Sequence, residues 1–302
     1  MFDLYHGSAV RYFIEVARAG SLSAASERMH IAVSAISRQI AKLEGDLGVP
    51  LFERLPRGMA LSEAGKKLMA FAVRNRLEAE ILARDIQGLD ELQSGNIRLA
   101  ISEGFSNGIV PNCVAEFLAQ YPGMRIDVYA GSPRAVAQRV KDGDADVGIS
   151  YAISPLEGVR SDKANLASVS VLVRATDPLA QRTKVSLRDI ASRKVALPNE
   201  GTTLRDLLDA GAAQAGVVFE RIVIESNTFS LLYAVARRTD AVFFAARQSL
   251  THRFEADGFV PVQVDPKEVR ARTIEVQTMA GRRLSTAIAT FKQHLIDALS
   301  ED

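Results

Sequence analysis

The sequence predicts an α/β chain headed by an all-α winged helix-turn-helix, with a linker helix and then a longer α/β region. Three observations carry this. Residues Ser21 to Lys42, SLSAASERMHIAVSAISRQIAK, read as two short helices joined by a tight turn. From Ser62 or Glu63 to about Gln93, one thin apolar stripe runs along otherwise charged faces. From Ile97 onward, strand patterns and helix patterns alternate.

A length of 302 residues exceeds what one compact core usually holds, which predicts two or more domains. The 37 basic and 36 acidic residues leave a net charge of +1, which excludes a uniformly basic nucleic-acid coat. Any DNA contact must then come from a local patch. Cys113 is the sole cysteine, so a disulfide within the chain is impossible, and this fits a reducing cytoplasm. On an apolar helix face it reads as a small core residue. His6, His30, His252 and His294 are scattered without metal-ligand spacing. The start of the chain carries acidic Asp3 and no apolar run of signal length, and no stretch approaches a membrane span. The expectation is a cytoplasmic protein with no membrane partner, no metal and no cofactor.

Ser8 to Ala19 reads as the first helix, with Val10, Phe13, Ile14 and Ala17 on one face and Gly20 as its C-terminal glycine. Ser23 to His30 is the next, with Ser23 as the N-cap and Ala24 and Ala25 small where helices cross. In the helix from Ser34 to about Leu47, a wheel of ~100° per residue puts Ile36, Ile40, Leu43 and Leu47 on one side. Ser34, Ser37, Arg38, Ala41 and Lys42 fall opposite. The apolar side must be buried. The small, hydroxylated and basic side suits the major groove of DNA: small residues let the backbone approach, Arg38 and Lys42 meet phosphates or guanine edges, and Ser34 and Ser37 donate to either. An ordinary helical hairpin with a solvated basic face would share the same wheel.

Gly48-Val49-Pro50 ends that helix. Leu51 to Arg54, the turn Pro56-Arg57-Gly58 and Met59 to Leu61 make a two-stranded wing, which would carry Arg54 and Arg57 to the sugar-phosphate backbone or the minor groove. Solvated turn charge is the plainer alternative for both arginines. In the linker helix, Leu68, Phe71, Asn75, Ala79, Leu82, Ile86 and Leu89 form a narrow seam of the kind that pairs with another helix, and Asn75 would fix register. Packing on the chain's own next domain is the alternative; the charged remaining faces favour another chain.

After Ser94-Gly95-Asn96, strands are expected at Ile97–Ile101, Arg125–Ala130, Asp146–Ser150, Ser168–Arg174, Lys194–Leu197, Ile222–Glu225, Ala241–Phe244, Val260–Val264 and Arg272–Thr278. Helices are expected at Ile109–Gln120, Pro133–Lys141, Thr202–Ala215, Phe229–Arg237 and Leu284–Leu299. Alternation favours a parallel sheet covered by helices. Such sheets bind ligands beyond the carboxyl ends of their strands, where helix N-termini offer free N–H groups. Four turns qualify: Ser102-Glu103-Gly104-Phe105, Gly131-Ser132-Pro133, Pro198 to Thr203, and Ser226-Asn227-Thr228. Any one of them alone reads as simple N-capping. Glu103, if it points inward, disfavours an anionic ligand. Asp142, Asp144 and Asp146 imitate the start of a calcium loop, but Val147 and Ile153 stand where glycine and a bidentate glutamate are required, so calcium is rejected. No phosphate-binding loop, HExxH, GxSxG or GxGxxG motif is present, so an enzyme is not expected.

The run from Tyr12 to Gly65 resembles the N-terminal domain of LysR-type transcriptional regulators. The pieces that carry the likeness are Gly20-Ser21-Leu22-Ser23-Ala24-Ala25, Ser34 to Ile40 (SAISRQI), Lys42-Leu43-Glu44 and Leu51-Phe52-Glu53-Arg54. Two positions depart from the family pattern. Ala32 replaces a common Ser or Thr cap, at a cost of about 1 kcal/mol, and Val33 replaces a frequent Gln or Pro and would touch a thymine methyl instead. The resemblance implies DNA contact by Ser23, Val33, Ser34, Ser37, Arg38, Gln39, Lys42, Arg54 and Arg57. More weakly, Pro111 with Phe117, Tyr121-Pro122-Gly123 and the run Asp142 to Ile149 resemble the family's regulatory half.

By that likeness, residues 1–62 are the DNA-binding domain, 63–93 the linker and dimerisation helix, and 94–302 an effector-binding regulatory domain. This domain would be similar to periplasmic solute-binding proteins, with lobe I at 97–167 and 265–302 and lobe II at 168–264. All four turns would then face one cleft. The effector residues implied are Ser102, Gly104, Phe105, Ser132, Pro133, Thr202, Thr203 and Asn227. Implied partners are double-stranded DNA, a small-molecule effector, a second copy or a tetramer of this chain, and RNA polymerase. The two-cysteine redox switch of some members is excluded by the single Cys113. The alternative reading is a solute-binding module whose N-terminal domain only assembles chains.

Overall fold

The computed structural model describes residues 7–55, 58–86, 92–152, 154–249 and 252–301. The chain divides into two units, residues 1–88 with 281–283 and residues 89–280 with 284–302.

In the first unit, helix α1 (Ser8–Ala19) buries Val10, Phe13 and Val16 and stops where Gly20 turns left-handed at φ 69°. Helix α2 (Leu22–Met29) starts earlier than expected. Ser21, and not Ser23, is the N-cap: its hydroxyl accepts from Ala24 N at 3.1 Å, while Ser23 lies exposed in the first turn. The following turn is held by Ser26 Oγ, which donates to Ile31 O at 2.6 Å. Helix α3 (Val33–Leu47) begins at Ala32 with no side-chain cap and buries Ile36, Ile40 and Leu43, the face the wheel assigns to the core. Strands β1 (Phe52–Leu55) and β2 (Gly58–Leu61) pair antiparallel, Phe52 opposite Leu61. Phe13 and Phe52 meet in the shared core with ring centroids 5.3 Å apart.

Helix α4 (Glu63–Ile86) follows. It starts tightly against the ribbon: a side chain at Gly65 would overlap the carbonyl oxygen of Leu51. Of the expected seam, Leu68 joins the core, Phe71, Asn75 and Ala79 are half-buried, and Leu82 and Ile86 are exposed at 58% and 76%. Val73, Leu77 and Ile81, which the seam omits, are buried. Leu89 and the rest of 87–91 lie outside the described residues, and Leu92–Ser94 is a turn, not helix.

The second unit runs β3 (Gly95–Ser102), α5 (Ile109–Gln120), β4 (Met124–Gly131), α6 (Pro133–Lys141), β5 (Val147–Tyr151), β6 (Val159–Ala167), β7 (Val169–Arg174), β8 (Lys184–Val185), α7 (Leu187–Ile190) and β9 (Lys194–Pro198). It continues with α8 (Thr203–Ala215), β10 (Arg221–Ser226), α9 (Phe229–Ala236), β11 (Val242–Ala246), α10 (His252–Ala256), β12 (Phe259–Val264), β13 (Arg272–Met279) and α11 (Thr286–Glu301). Two sheets form, ordered β4-β3-β5-β13-β6 and β10-β9-β11-β7-β12-β8.

Both sheets are mixed, which corrects the expectation of a parallel sheet. Strands β3, β4 and β5 are parallel, as are β9, β10 and β11, but β13 runs antiparallel to β5 and β6, and β7 antiparallel to β11 and β12. The antiparallel strands belong to the two passages where the chain crosses from one sheet to the other. Strand β6 (VRSDKANLA) was not expected, because this polar edge segment lacks the apolar alternation that marks a strand.

Each sheet is packed on both faces. Helices α5 and α11 cover one face of the first sheet, where Phe117 meets Phe291 edge-on at 5.0 Å, and Val136 and Val140 of α6 cover the other. The second sheet buries Val171, Val195, Leu208 and Phe244 on one face and an aromatic cluster of Phe229, Tyr233, Phe243, Phe254 and Phe259 on the other. Between β3 and β5 lies a charge clasp. Asp146, 2% exposed, accepts from Arg98 N at 2.9 Å, Nε at 3.1 Å and Nη2 at 2.7 Å. That pairing accounts for the buried Asp146 at the head of β5.

Candidate functional site

Two places gather the residues that the sequence singles out. The first is the outer face of α3. Val33, Ser34, Ser37, Arg38, Ala41 and Lys42 are all exposed there, opposite the buried Ile36, Ile40 and Leu43, and Gln39 is half-buried at the side. Arg28 of α2 meets Glu15 at 3.4 Å, whereas Arg38 and Lys42 pair with no acid among the described residues. The face therefore offers cations, hydroxyls and one apolar tip, with no bulky side chain to hold the backbone off a duplex.

The ribbon beside it is fixed to α3 by a residue to which the sequence reading gave no role. Glu44 Oε1 accepts from Leu51 N at 2.7 Å and Phe52 N at 3.3 Å, so it sets where β1 begins. Met59 N donates to Gly20 O at 2.7 Å, which ties β2 to the end of α1. Arg54 sits on β1 opposite Met59. Its side chain, and the whole of Arg57, lie outside the described residues.

The second place is a cavity of about 530 Å³ between the two sheets of the second unit. All four expected turns reach it: Ser102, Glu103 and Gly104 after β3, Ser132 and Pro133 after β4, Thr202 and Thr203 after β9, and Asn227 after β10. Each lies at the carboxyl end of a parallel strand, where helix starts present free N–H groups. Capping and lining coexist. Ser132 Oγ accepts from Ala135 N at 3.3 Å, and Thr202 Oγ1 from Arg205 N at 3.4 Å, yet both residues face the cavity. Ser102 is the exception, 3% exposed with its hydroxyl unpartnered.

Phe105 is a correction to the expected effector set. It is fully buried in the core of the first sheet, stacked on Tyr151 at 4.8 Å, and does not line the cavity. Glu103 and Gly104 stay half-buried at the cavity wall, while the large ring finds its apolar surroundings inward.

Glu103 does point inward. It lines the cavity, and its Oε1 accepts from Phe229 N, the first residue of α9, at 2.9 Å. Burial raises its pKa, opposed by that backbone hydrogen bond. Beside it, Ser249 Oγ donates to Gly104 O, and burial raises the pKa of the Tyr151 phenol. Tyr151, Ser249 and Arg272 also line the cavity and were missed. They sit on β5, on the turn after β11 and on β13, positions that only the sheet topology brings together. Arg205 was missed too. Buried at the start of α8, it donates to Pro198 O at 3.0 Å and pairs with Asp209 at 2.8 Å and with Glu225, fastening the turn that carries Thr202. In the sequence it looks like ordinary helix charge. Cys113 is a core residue, its thiol pushed up to about 12 by burial and by Glu116. No helix among the described residues is long and apolar enough to cross a membrane.

Two family models match the chain. Residues 8–66 match the bacterial regulatory helix-turn-helix protein model of the lysR family, and residues 90–300 match the LysR substrate binding domain. The HTH-type transcriptional regulator YybE of Bacillus subtilis is 27% identical over 296 residues, spanning 97% of this chain and 98% of its own. A probable RuBisCO transcriptional regulator of Cyanidioschyzon merolae is 23% identical over 95% of this chain and 96% of its own. Among solved structures, a full-length OxyR variant from Pseudomonas aeruginosa superposes with a TM-score of 0.65 at 18% identity, covering 97% of this chain and 96% of that one. Full-length CbnR in complex with its target DNA gives 0.54 at 19% identity, covering 96% and 98%. These relatives are regulators and not enzymes, and the chain belongs to the LysR family of DNA-binding transcriptional regulators that carry an effector-binding substrate domain.

Proposed function

We propose that this protein reads promoter DNA with the exposed face of α3 and answers to a small molecule held between its two sheets. Val33, Ser34, Ser37, Arg38, Gln39 and Lys42 meet the major groove, Ser23 approaches the backbone from α2, and Arg54 and Arg57 reach the backbone or minor groove from the wing. The carrying observation is the clean division of α3 into a buried apolar side and an exposed side whose cations and hydroxyls have no partner among the described residues. Two copies pair through α4, whose exposed Leu82 and Ile86 are an apolar surface out of place on a lone chain. Pairing places two recognition helices on successive major grooves of a dyad-symmetric site, and two such pairs can join as a tetramer. CbnR, similar in fold, was solved on its target DNA, which supports the same use here.

The effector contacts are Ser102, Gly104, Ser132, Pro133, Thr202, Thr203 and Asn227. An effector acts only through its different affinity for two arrangements of the lobes. The arrangement it selects resets the spacing of the DNA heads, and with it DNA bending and contact with RNA polymerase in the cytoplasm. Titration of the full-length protein against a duplex selected from a random pool tests the DNA half of this reading. A regulator binds the selected duplex far more tightly than scrambled DNA, and its affinity falls by about 10³-fold or more between 50 and 200 mM salt if six or more phosphates are met. Equal affinity for both duplexes favours the assembly module instead.

A further inference from the structure

Glu103 narrows the chemistry of what fills the cleft. Its carboxylate is half-buried in the cavity wall and bridges from the turn after β3 to the first N–H of α9. Among the described residues three charged side chains line the cavity, two acids (Glu103 and Glu200) and one base (Arg272). Arg272 is half-buried like Glu103 and donates to Ala152 O at 2.7 Å, whereas Glu200 is exposed. A purely anionic ligand would meet the half-buried Glu103 carboxylate, and a purely cationic one the equally half-buried Arg272 guanidinium, whose charge no carboxylate offsets among the described residues. Other parts of the same wall are of opposite character. The Ser102 hydroxyl, 3% exposed, has no partner, and α6 and α8 direct their electropositive starts, at Ser132 and Thr202, into the same space.

Resting on the cleft reading above, we infer that the cleft is built for an amino-carboxylate ligand, with a protonated amine against the Glu103 carboxylate and the ligand's own carboxylate toward Ser102 and the starts of α6 and α8. The start of α9 gives the Glu103 carboxylate one N–H, and an ammonium would add a full counter-charge beside it. A carboxylate has lone pairs for several donors, so Glu103 keeps the Phe229 N–H while it receives the amine. The ligand therefore joins the two lobes at the contact that Glu103 already makes between them. Because burial raises the pKa of Glu103, ligand affinity should weaken as pH falls through that raised value, since the protonated acid no longer attracts the amine.

The test is a thermal-shift and calorimetric screen of the full-length protein. The probes are the common L-amino acids and, as charge controls, succinate, glutarate and adipate. At least one amino acid should stabilise the wild type, while the dicarboxylates should not. Glu103→Gln should weaken that amino acid by about tenfold or more, and Glu103→Asp should recover part of the loss. Selected-DNA binding at wild-type affinity verifies that both variants are folded. Stabilisation by a dicarboxylate with none by any amino acid overturns the inference, and its loss in Ser102→Leu would leave the cleft reading standing. Failure of every amino acid to bind also overturns it. A shift that survives both Glu103→Gln and Ser102→Leu removes the cleft reading as well.

Discussion

Glu44 illustrates how one side chain can set the geometry of the surface proposed to read DNA. From the buried side of α3 it accepts the N–H groups of Leu51 and Phe52, and so fixes the wing relative to the recognition helix. Glu44→Ala leaves the buried Leu51 N–H without that acceptor and should cost about 1–2 kcal/mol in chemical denaturation, with Glu44→Gln, which keeps an acceptor oxygen, costing less. An unfolding midpoint unchanged in Glu44→Ala would show that the contact contributes nothing. At the cleft, Ser102→Leu fills the site of the unpartnered hydroxyl with an apolar branch. Effector-dependent changes in DNA binding should disappear while DNA affinity without effector stays at the wild-type level. A retained response would take Ser102 out of the site.

The residue scale is also where the sequence was least legible. Ser102, Ser132 and Thr202 stand out as hydroxyls at predicted helix starts, and all three line one cavity. Phe105 belongs to the same turn, and one residue of rotation carries it into the core. Nothing in the local wording distinguishes an inward ring from a cleft-facing one. Tyr151, Ser249 and Arg272 have no signal at all, because their meeting depends on which strands become neighbours.

At the scale of the element, the sequence is most informative where punctuation is strong. Helices α5 and α6 fall on the expected residues, α6 opened by Ser132-Pro133 with the proline at its first turn. Helix α1 ends at Gly20 because only a residue at ease with φ 69° closes it there. Strand β6 escaped because a polar edge strand shows no alternation, and the reversed direction of β13 and β7 escaped because alternation of strand and helix carries no sense of direction. Helix α4 carries the pairing claim. Its exposed Leu82 and Ile86 lie beyond the part that packs into the N-terminal core. Leu82→Glu should shift the sedimenting species toward the monomer and weaken binding to a dyad-symmetric duplex more than to a half-site. An unchanged mass would place the pairing surface elsewhere.

On the scale of the whole molecule, a nearly neutral chain is proposed to confine its DNA attraction to one face and its ligand chemistry to one cleft. Net charge of +1 means that long-range attraction contributes little, so local contacts must supply both affinity and register. The most direct test of that account is the affinity of Arg38→Ala, measured beside the wild type at one salt concentration, on a selected duplex and on a random one. If Arg38 reads a base edge as proposed, the loss is roughly 1–3 kcal/mol on the selected duplex and much smaller on the random one. Wild-type affinity on both duplexes would contradict the claim that the outer face of α3 is what reads DNA.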